Sequence, residues 1–243
     1  MTCTAIPGPA PRDRRSGSLL SSVAVGLGCV LFFGGFGWAA VQYQPFAVPT
    51  PSMAPTVSAG DRLLAQRVDG AAVRRGDIVV FEDRDWSDLP VLKRVVAVGG
   101  DTVACCDRRG RLELDGEPVP EPYVRGTQSE APARFEVEVA QGELFLLGDR
   151  RNGSLDSRAH LAAGGTGTVP RDAVRARVDA IAWPLGRVGL VERPQVFADL
   201  PGGVSAPGPL LPALAAVATG ALLILGGAVW GPVARRAGRR RRS

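Results

Sequence analysis

Ser52 and Lys93 are the two side chains whose types and settings could make and break an acyl bond. Ser52 stands in Thr50-Pro51-Ser52-Met53-Ala54-Pro55-Thr56. Each proline there fixes its own φ near −65° and biases the residue before it away from helix. The segment is expected to be stiff and extended, so that one hydroxyl can be aimed. Lys93 is singled out by a count, since among 29 lysines and arginines it is the only lysine. Arginine cannot give up its proton inside a protein, whereas a desolvated lysine can. A chain that uses arginine for every other positive charge is expected to keep its lysine for a place where a base is needed.

The neighbours of Lys93 agree with that role. In Val91-Leu92-Lys93-Arg94-Val95-Val96-Ala97-Val98 the strand period of two puts Val91, Lys93, Val95 and Ala97 on one face. An amine on an apolar face is desolvated, which lowers its pKa toward the range in which a general base works. On this stretch alone an edge-strand lysine that snorkels to water remains an alternative. A Ser-His-Asp triad would have to use the single histidine, His160; it follows Arg158 by two residues in a Gly/Ala-rich stretch and is expected on a loop surface, outside any triad. A Ser-x-x-Lys motif is excluded by the distance in sequence between Ser52 and Lys93. No spacing of His, Cys, Asp or Glu suggests a metal, and no motif suggests a cofactor.

Four segments between residues 50 and 158, taken together and in order, resemble the boxes of type I signal peptidases, membrane-bound serine proteases with a Ser/Lys dyad. They are Ser52-Met53-Ala54-Pro55-Thr56 with Gly60-Asp61, Arg75-Gly76-Asp77-Ile78-Val79-Val80-Phe81, Lys93-Arg94-Val95-Val96 through Gly100-Asp101, and Gly148-Asp149-Arg150-Arg151-Asn152-Gly153-Ser154-Leu155-Asp156-Ser157-Arg158. Leu114 to Val119 with Glu121-Pro122-Tyr123 resembles the hairpin after the lysine box, and Ala182-Trp183-Pro184 the closing strand. The resemblance implies Ser52 as nucleophile, Lys93 as base, and an oxyanion hole made of the Ser52 N–H and the Thr50 hydroxyl. It implies that Ser154 orients the lysine and that Asp156 and Arg158 form a supporting ion pair. Met53 and Arg94, the immediate neighbours of the dyad, fall among the supporting residues. The implied reaction removes N-terminal signal peptides from exported preproteins after a small-x-small site, through an acyl-enzyme and without a cofactor. One position departs from the pattern: Arg150 stands where the last box has asparagine. Altered loop packing or substrate preference is expected there, with activity retained.

The rest of the chain must position these residues. The run from Leu19 to Val41 carries no charge and is long enough to cross a hydrocarbon core of about 30 Å as a helix; a cleavable export signal is the alternative. A second uncharged run extends from Leu210 to Trp230. Basic tails flank both, at residues 1–18 and 231–243, and by the positive-inside rule both tails lie in the cytoplasm. That places residues 42–209 on the outer face of a bacterial plasma membrane, in contact with its lipid. The tails hold a net charge of +8 and the remainder −3, so the basic pI gives no support for nucleic-acid binding. An Arg, Ala, Gly and Pro bias together with the second span is similar to actinobacterial members of the family.

Between the spans, short Val-, Leu- and Ile-rich runs end at Gly, Pro or Asp: Arg62 to Val68, Gly76 to Phe81, Val91 to Val98, Thr102 to Cys106, Arg111 to Leu114, Glu143 to Leu147 and Ala176 to Trp183. The expected fold class is therefore mainly β, an antiparallel catalytic domain with Greek-key or barrel-like closure, flanked by two transmembrane helices. Cys105-Cys106 leaves three readings open: a vicinal disulfide, two free thiols, or two small core residues. Two other functions share parts of this pattern. A self-cleaving Ser/Lys regulator lacks membrane spans, and a membrane-tethered β domain that only binds export substrates would leave a precursor uncut. Thr50 lies about nine residues beyond Val41, a reach of at most about 30 Å, so membrane-bound leaders in extended form are the expected substrates.

Overall fold

Two kinds of local sequence build two compact units, residues 42–208 and the paired terminal segments. The computed structural model describes residues 13–124 and 134–240. The first twelve residues of the expected basic tail and the last three of the chain lie outside the described residues.

The terminal unit is a pair of antiparallel helices, α1 (Asp13–Gln42) and α3 (Leu210–Arg240). Each contains a stretch long and apolar enough to cross a membrane, Leu19–Gln42 and Leu210–Trp230. Glycines set their approach. A Cβ on Gly28 would collide with the backbone of Gly220 and with Ile224, one on Gly35 with Ala216, and one on Gly227 with Val25. The spacing of seven in both pairs, 28/35 and 220/227, keeps the small residues on one stripe. Close backbone contact of this kind replaces hydrophobic burial between helices in lipid. Ser21 Oγ adds a bond to Gly227 O at 2.7 Å.

Residues 42–208 form two antiparallel sheets. The larger runs in the order β1 (Tyr43–Ala47), β2 (Arg62–Arg67), β11 (Val174–Trp183), β3 (Ile78–Phe81), β4 (Val91–Val98), β9 (Glu143–Leu147), β10 (Thr168–Pro170), with β12 (Gly189–Leu190) paired to β11. The smaller runs β7 (Glu117–Pro118), β6 (Leu112–Leu114), β5 (Thr102–Cys105), β8 (Phe135–Glu138). β1 and β10 stand at the two ends of this path. Three apolar clusters fill the unit. The first gathers Met53, Val57, Leu63 and Leu92, the second Val103, Leu114, Phe145 and Phe197, and the third Val79, Phe81, Val95 and Leu146.

Strand β4 is the spine of the site. Its register with β3 sets Lys93 opposite Val79 and Arg94 opposite Ile78, hence on opposite faces. Against β9 the register shifts between Val95 and Ala97, and such a bulge reverses the alternation beyond it. Ala97 accordingly joins Val96 in the second cluster and leaves the face of Lys93, contrary to the simple period of two.

A strap after β12 is fastened across this sheet. Arg193 Nε donates to Asp77 Oδ1 and Ser205 Oγ, and Arg193 Nη2 to Asp179 Oδ1. Arg75 Nη1 donates to Pro201 O at 2.6 Å, while its Nε and Nη2 hold Asp101. Phe197 is fully buried against Gly76, which has no room for a Cβ there. The strap thereby fixes Gly76, whose carbonyl accepts from Arg94.

Of the three readings of Cys105-Cys106, the structure has the disulfide, at the end of β5. His160 departs from expectation too: it lies on the short helix α2 (Ser157–Ala162), half-buried, with its ring stacked on Trp86 at 4.1 Å. The stretch that read as loop turns helical because Asp156 caps it, its side chain accepting from Arg158 N, as a short acidic residue does at a helix start.

Candidate active site

Pro51 decides the local backbone at Ser52, and it decides it differently from the extended segment expected. Residues Pro51–Met53 make one 3-10 turn. Proline's fixed φ suits the first position of a helical turn, where its missing N–H is not needed. Only the residues before each proline are extended, Thr50 at φ −126°, ψ 154° and Ala54 at φ −66°, ψ 143°, as the ring's clash with the preceding residue requires. Ser52 is thus carried on the turn itself, 6% exposed, with Met53 fully buried beneath it in the first cluster. The Ser52 N–H, in the first turn, has no carbonyl within the turn to bond.

Lys93 Nζ lies 3.1 Å from Ser52 Oγ and donates to it. Thr50 Oγ1 donates to the same oxygen at 3.2 Å. The lysine is 4% exposed and takes no part in the ion pairs found among the described residues, all of which belong to arginines. Burial pushes its pKa below the ordinary lysine value, and the charge of Asp156 pulls it partly back. The snorkelling alternative does not hold for this side chain.

Beside the dyad runs the loop from Gly148 to Arg158. Gly148 N donates to Asp156 Oδ2 at 3.0 Å, and Arg150 N donates to Ser52 O at 3.0 Å. Arg158 grips both oxygens of Asp156, through Nε at 2.9 Å and Nη2 at 2.8 Å, and reaches Arg151 O at 2.9 Å. Gly148 is buried with no space for a side chain: a Cβ there would meet Ser154 Oγ and Ser52 O together. Ser154 Oγ is buried and has no hydrogen-bond partner among the described residues. It therefore sits beside the nucleophile's backbone without bonding Lys93, which differs from the contact the resemblance implied.

On the opposite face of β4, Arg94 is 1% exposed and fully paired. Its Nε and Nη2 take both oxygens of Asp149 at 2.8 and 2.7 Å, its Nη1 donates to Gly76 O at 2.8 Å, and its guanidinium lies 4.2 Å over the ring of Tyr123. Asp149 also accepts from Thr56 Oγ1 at 2.6 Å, which ties this pair to the segment carrying Ser52. Burial opposes the arginine's charge, but the bond and charge of Asp149 outweigh it and hold the pKa above its ordinary value. Tyr123 is pushed well up, by burial first and then by the charge of Glu121.

Sequence reasoning assigned no role to Arg151, Glu121 or Gly148, although the segments it singled out contain all three. Arg151 is buried, with Nη1 donating to Glu121 Oε2 at 2.8 Å, Nη2 to Oε1, and Nε to Gly148 O at 3.0 Å. A buried arginine in a Gly/Asp loop signals a carboxylate partner, but thirty residues of sequence hide which one. Arg150, the departing residue, is exposed, with its side chain over Gly153 of the same loop.

Comparison with known proteins bears on what this arrangement does. The family described as "Signal peptidase, peptidase S26" matches residues 19–183. Signal peptidase I U of Bacillus subtilis (strain 168) is 31% identical over 157 residues, covering 61% of this chain and 80% of that protein. Signal peptidase I of Mycobacterium tuberculosis (strain H37Rv) is 29% identical over 237 residues, covering 76% of this chain and 78% of that protein. A crystal structure of a signal peptidase I from Enterococcus faecalis V583 is 27% identical, covers 43% of this chain and 94% of that one, and superposes with a TM-score of 0.35. With more than half its length matched by the family, the chain belongs to the signal peptidases of peptidase family S26 and is a type I signal peptidase, a serine endopeptidase.

Proposed function

We propose that this signal peptidase cuts leaders from exported preproteins by acyl transfer, with Ser52 as nucleophile and Lys93 as its base. The observation that carries the reading is the 3.1 Å separation of Lys93 Nζ and Ser52 Oγ, with the lysine buried and outside every ion pair among the described residues. Only a neutral amine can accept the serine proton, and burial favours the neutral form. Ser52 Oγ bonds to the scissile carbonyl carbon as its proton passes to Nζ. The carbonyl oxygen becomes an anion facing the Ser52 N–H and the Thr50 hydroxyl. Collapse breaks the C–N bond, the ammonium of Lys93 returns the proton to the departing amine, and the leader remains as an ester on Ser52. Lys93 then takes a proton from water, the hydroxide adds to the ester, and the leader leaves as a carboxylate with Oγ reprotonated. Ser154, whose buried hydroxyl lies with Ser52 O over Gly148, packs the loop against the turn that bears the nucleophile. Asp156 and Arg158 hold the loop, and Met53 and Arg94 pack the turn and strand that bear the dyad.

The same reading sets the protein in the membrane. α1 and α3 span the plasma membrane of a bacterium, their basic ends lie in the cytoplasm, and residues 42–209 work on the outer face at the lipid surface. Leaders bind extended, with small side chains at the first and third positions before the cut.

Trapping the ester tests the chemistry. Full-length protein in detergent, mixed with a precursor and quenched in acid, should gain the mass of the leader less one water on the peptide containing Ser52. The Ser52→Ala variant should show neither adduct nor product. Product formation by Ser52→Ala would overturn the proposal.

A further inference from the structure

Among the described residues, three acid–base pairs surround the dyad and Arg150 stands outside them. Asp149 is held by Arg94, Asp156 by Arg158 and Glu121 by Arg151. Arg150 has no carboxylate within ion-pair distance among the described residues, and it is the exposed member of this group. Its backbone is nevertheless fixed to the nucleophile, since Arg150 N donates to Ser52 O at 3.0 Å. The side chain lies over Gly153, where an added Cβ would stand 3.6 Å from Nε and 3.7 Å from Cδ. A guanidinium one side chain away from Ser52 O stays within the range over which charges act through salt solution, about 10 Å at 0.1 M. Among the described residues, the dyad therefore sits beside a positive charge outside any ion pair, on a body of negative net charge between the basic tails.

From this we propose that Arg150 is a specificity-determining residue that favours an acidic side chain in the first residues of the substrate after the cut. The inference rests on the acyl-transfer reading, which supplies the site that the substrate must reach. Under that reading the first and third positions before the cut take small side chains and the second points away from the enzyme along the extended leader, so the charge that can vary against this surface lies on the departing segment. An exposed cation attracts such a carboxylate as it docks and acts mainly on encounter and KM, weakly and with strong dependence on salt. Arginine suits the task because it stays charged at any working pH and offers a fork of donors to a carboxylate.

The test measures kcat/KM for one precursor peptide carrying Asp, Asn or Lys at the second position after the cut. Full-length wild type, Arg150→Asn and Arg150→Glu would be assayed in neutral detergent. For wild type at 50 mM salt the Asp peptide should be favoured over the Lys peptide by about threefold, and the ratio should approach one at 1 M salt. In Arg150→Asn the ratio should fall to near one, and in Arg150→Glu it should invert. A wild-type ratio of one at low salt, or the same ratio in all three proteins, would overturn the inference while cleavage of the Asn peptide leaves the acyl-transfer reading standing. If the Asn peptide is not cut, or is cut equally by Ser52→Ala, that reading fails and this one with it. Repeating the assay in vesicles with and without anionic phospholipid separates the other source of negative charge. An Arg150 effect that follows the lipid and ignores the peptide charge would assign the residue to the membrane surface and overturn the proposal.

Discussion

Lys93 and Arg94 are adjacent on β4, both buried and both basic, yet their surroundings push them in opposite directions. Arg94 faces Asp149, with a bidentate bond and a backbone carbonyl completing its donors, and its charge is held more firmly than in water. Lys93 faces a serine hydroxyl and an apolar wall, and burial weakens its charge. Burial alone therefore does not make a base; burial without a matched anion does. The arrangement has a sign in stability as well. A lysine with a depressed folded pKa is neutral in the native state while the unfolded chain is still protonated, so the native state loses stability as pH falls through the unfolded value of about 10.4. The reactive residue costs stability at neutral pH, and its neighbour offsets part of that by locking Asp149 and Thr56 to the strand.

Exchanging the identity of the two cations should break the comparison most severely. Lys93→Arg keeps a positive charge on the same strand but removes the only side chain there able to lose a proton. Precursor cleavage should fall by on the order of 10⁴-fold or more, the scale of a lost general base that acts in both half-reactions. The thermal transition should fall too, because the arginine stays charged at a buried site with no matched anion, so Lys93→Met, which carries no charge, should show the same loss of cleavage with a smaller thermal shift. Near-normal turnover in Lys93→Arg would mean that the unpaired lysine is not the base.

Unpairing the other cation should affect folding before chemistry. In Asp149→Asn the guanidinium of Arg94 remains buried with its anion gone, and breaking such a pair costs about 3–5 kcal/mol. For a unit of this size that lowers the melting temperature by on the order of 10 °C. Differential scanning calorimetry in detergent measures it. The double variant Arg94→Met, Asp149→Leu should recover a large part of the loss, because it removes both buried charges. A double variant as unstable as Asp149→Asn would show that the pair is held for its hydrogen bonds to Thr56 and Gly76 and not for charge balance.

How far this contrast was legible in the sequence depends on the range of the interaction. The solitary lysine among arginines, the prolines at 51 and 55 and the alternation around Lys93 are local, and they pointed to the two residues that meet at 3.1 Å. Strands with clear runs of branched residues, such as Val91–Val98 and Glu143–Leu147, were recovered at those bounds. Short edge strands such as Gly189–Leu190, two exposed residues, carry no pattern to read. The bulge near Val96 was invisible because it depends on which β9 residues β4 meets. The turn at Ser52 was misread because proline restrains both itself and its predecessor, and only the second effect was weighed. Partners such as Glu121 for Arg151 need the second sheet to be in place before they can be recognised.

The smallest effect concerns the one anion that reaches both sides of the contrast. Asp156 is fully buried, caps α2, accepts from Gly148 N and holds Arg158, and its charge also raises the pKa of Lys93 against the larger effect of burial. Asp156→Asn keeps an oxygen for the helix cap while deleting the charge. The ammonium form of Lys93 then loses its stabilising field and is left nearer to an uncompensated Arg158, so both changes favour the neutral amine. The lysine pKa must move further below 10.5, and the limb on which cleavage rises with pH must move toward acid. A pH profile of kcat/KM for wild type and Asp156→Asn reads this directly, because kcat/KM reports groups of the free enzyme. The plateau also falls, since the loop has lost part of its grip on Gly148, but a fall in plateau leaves the position of the limb unchanged. A limb that stays in place, or moves toward alkali, would mean that the rising rate follows a group other than Lys93, and the contrast between the two cations on β4 would no longer account for the activity.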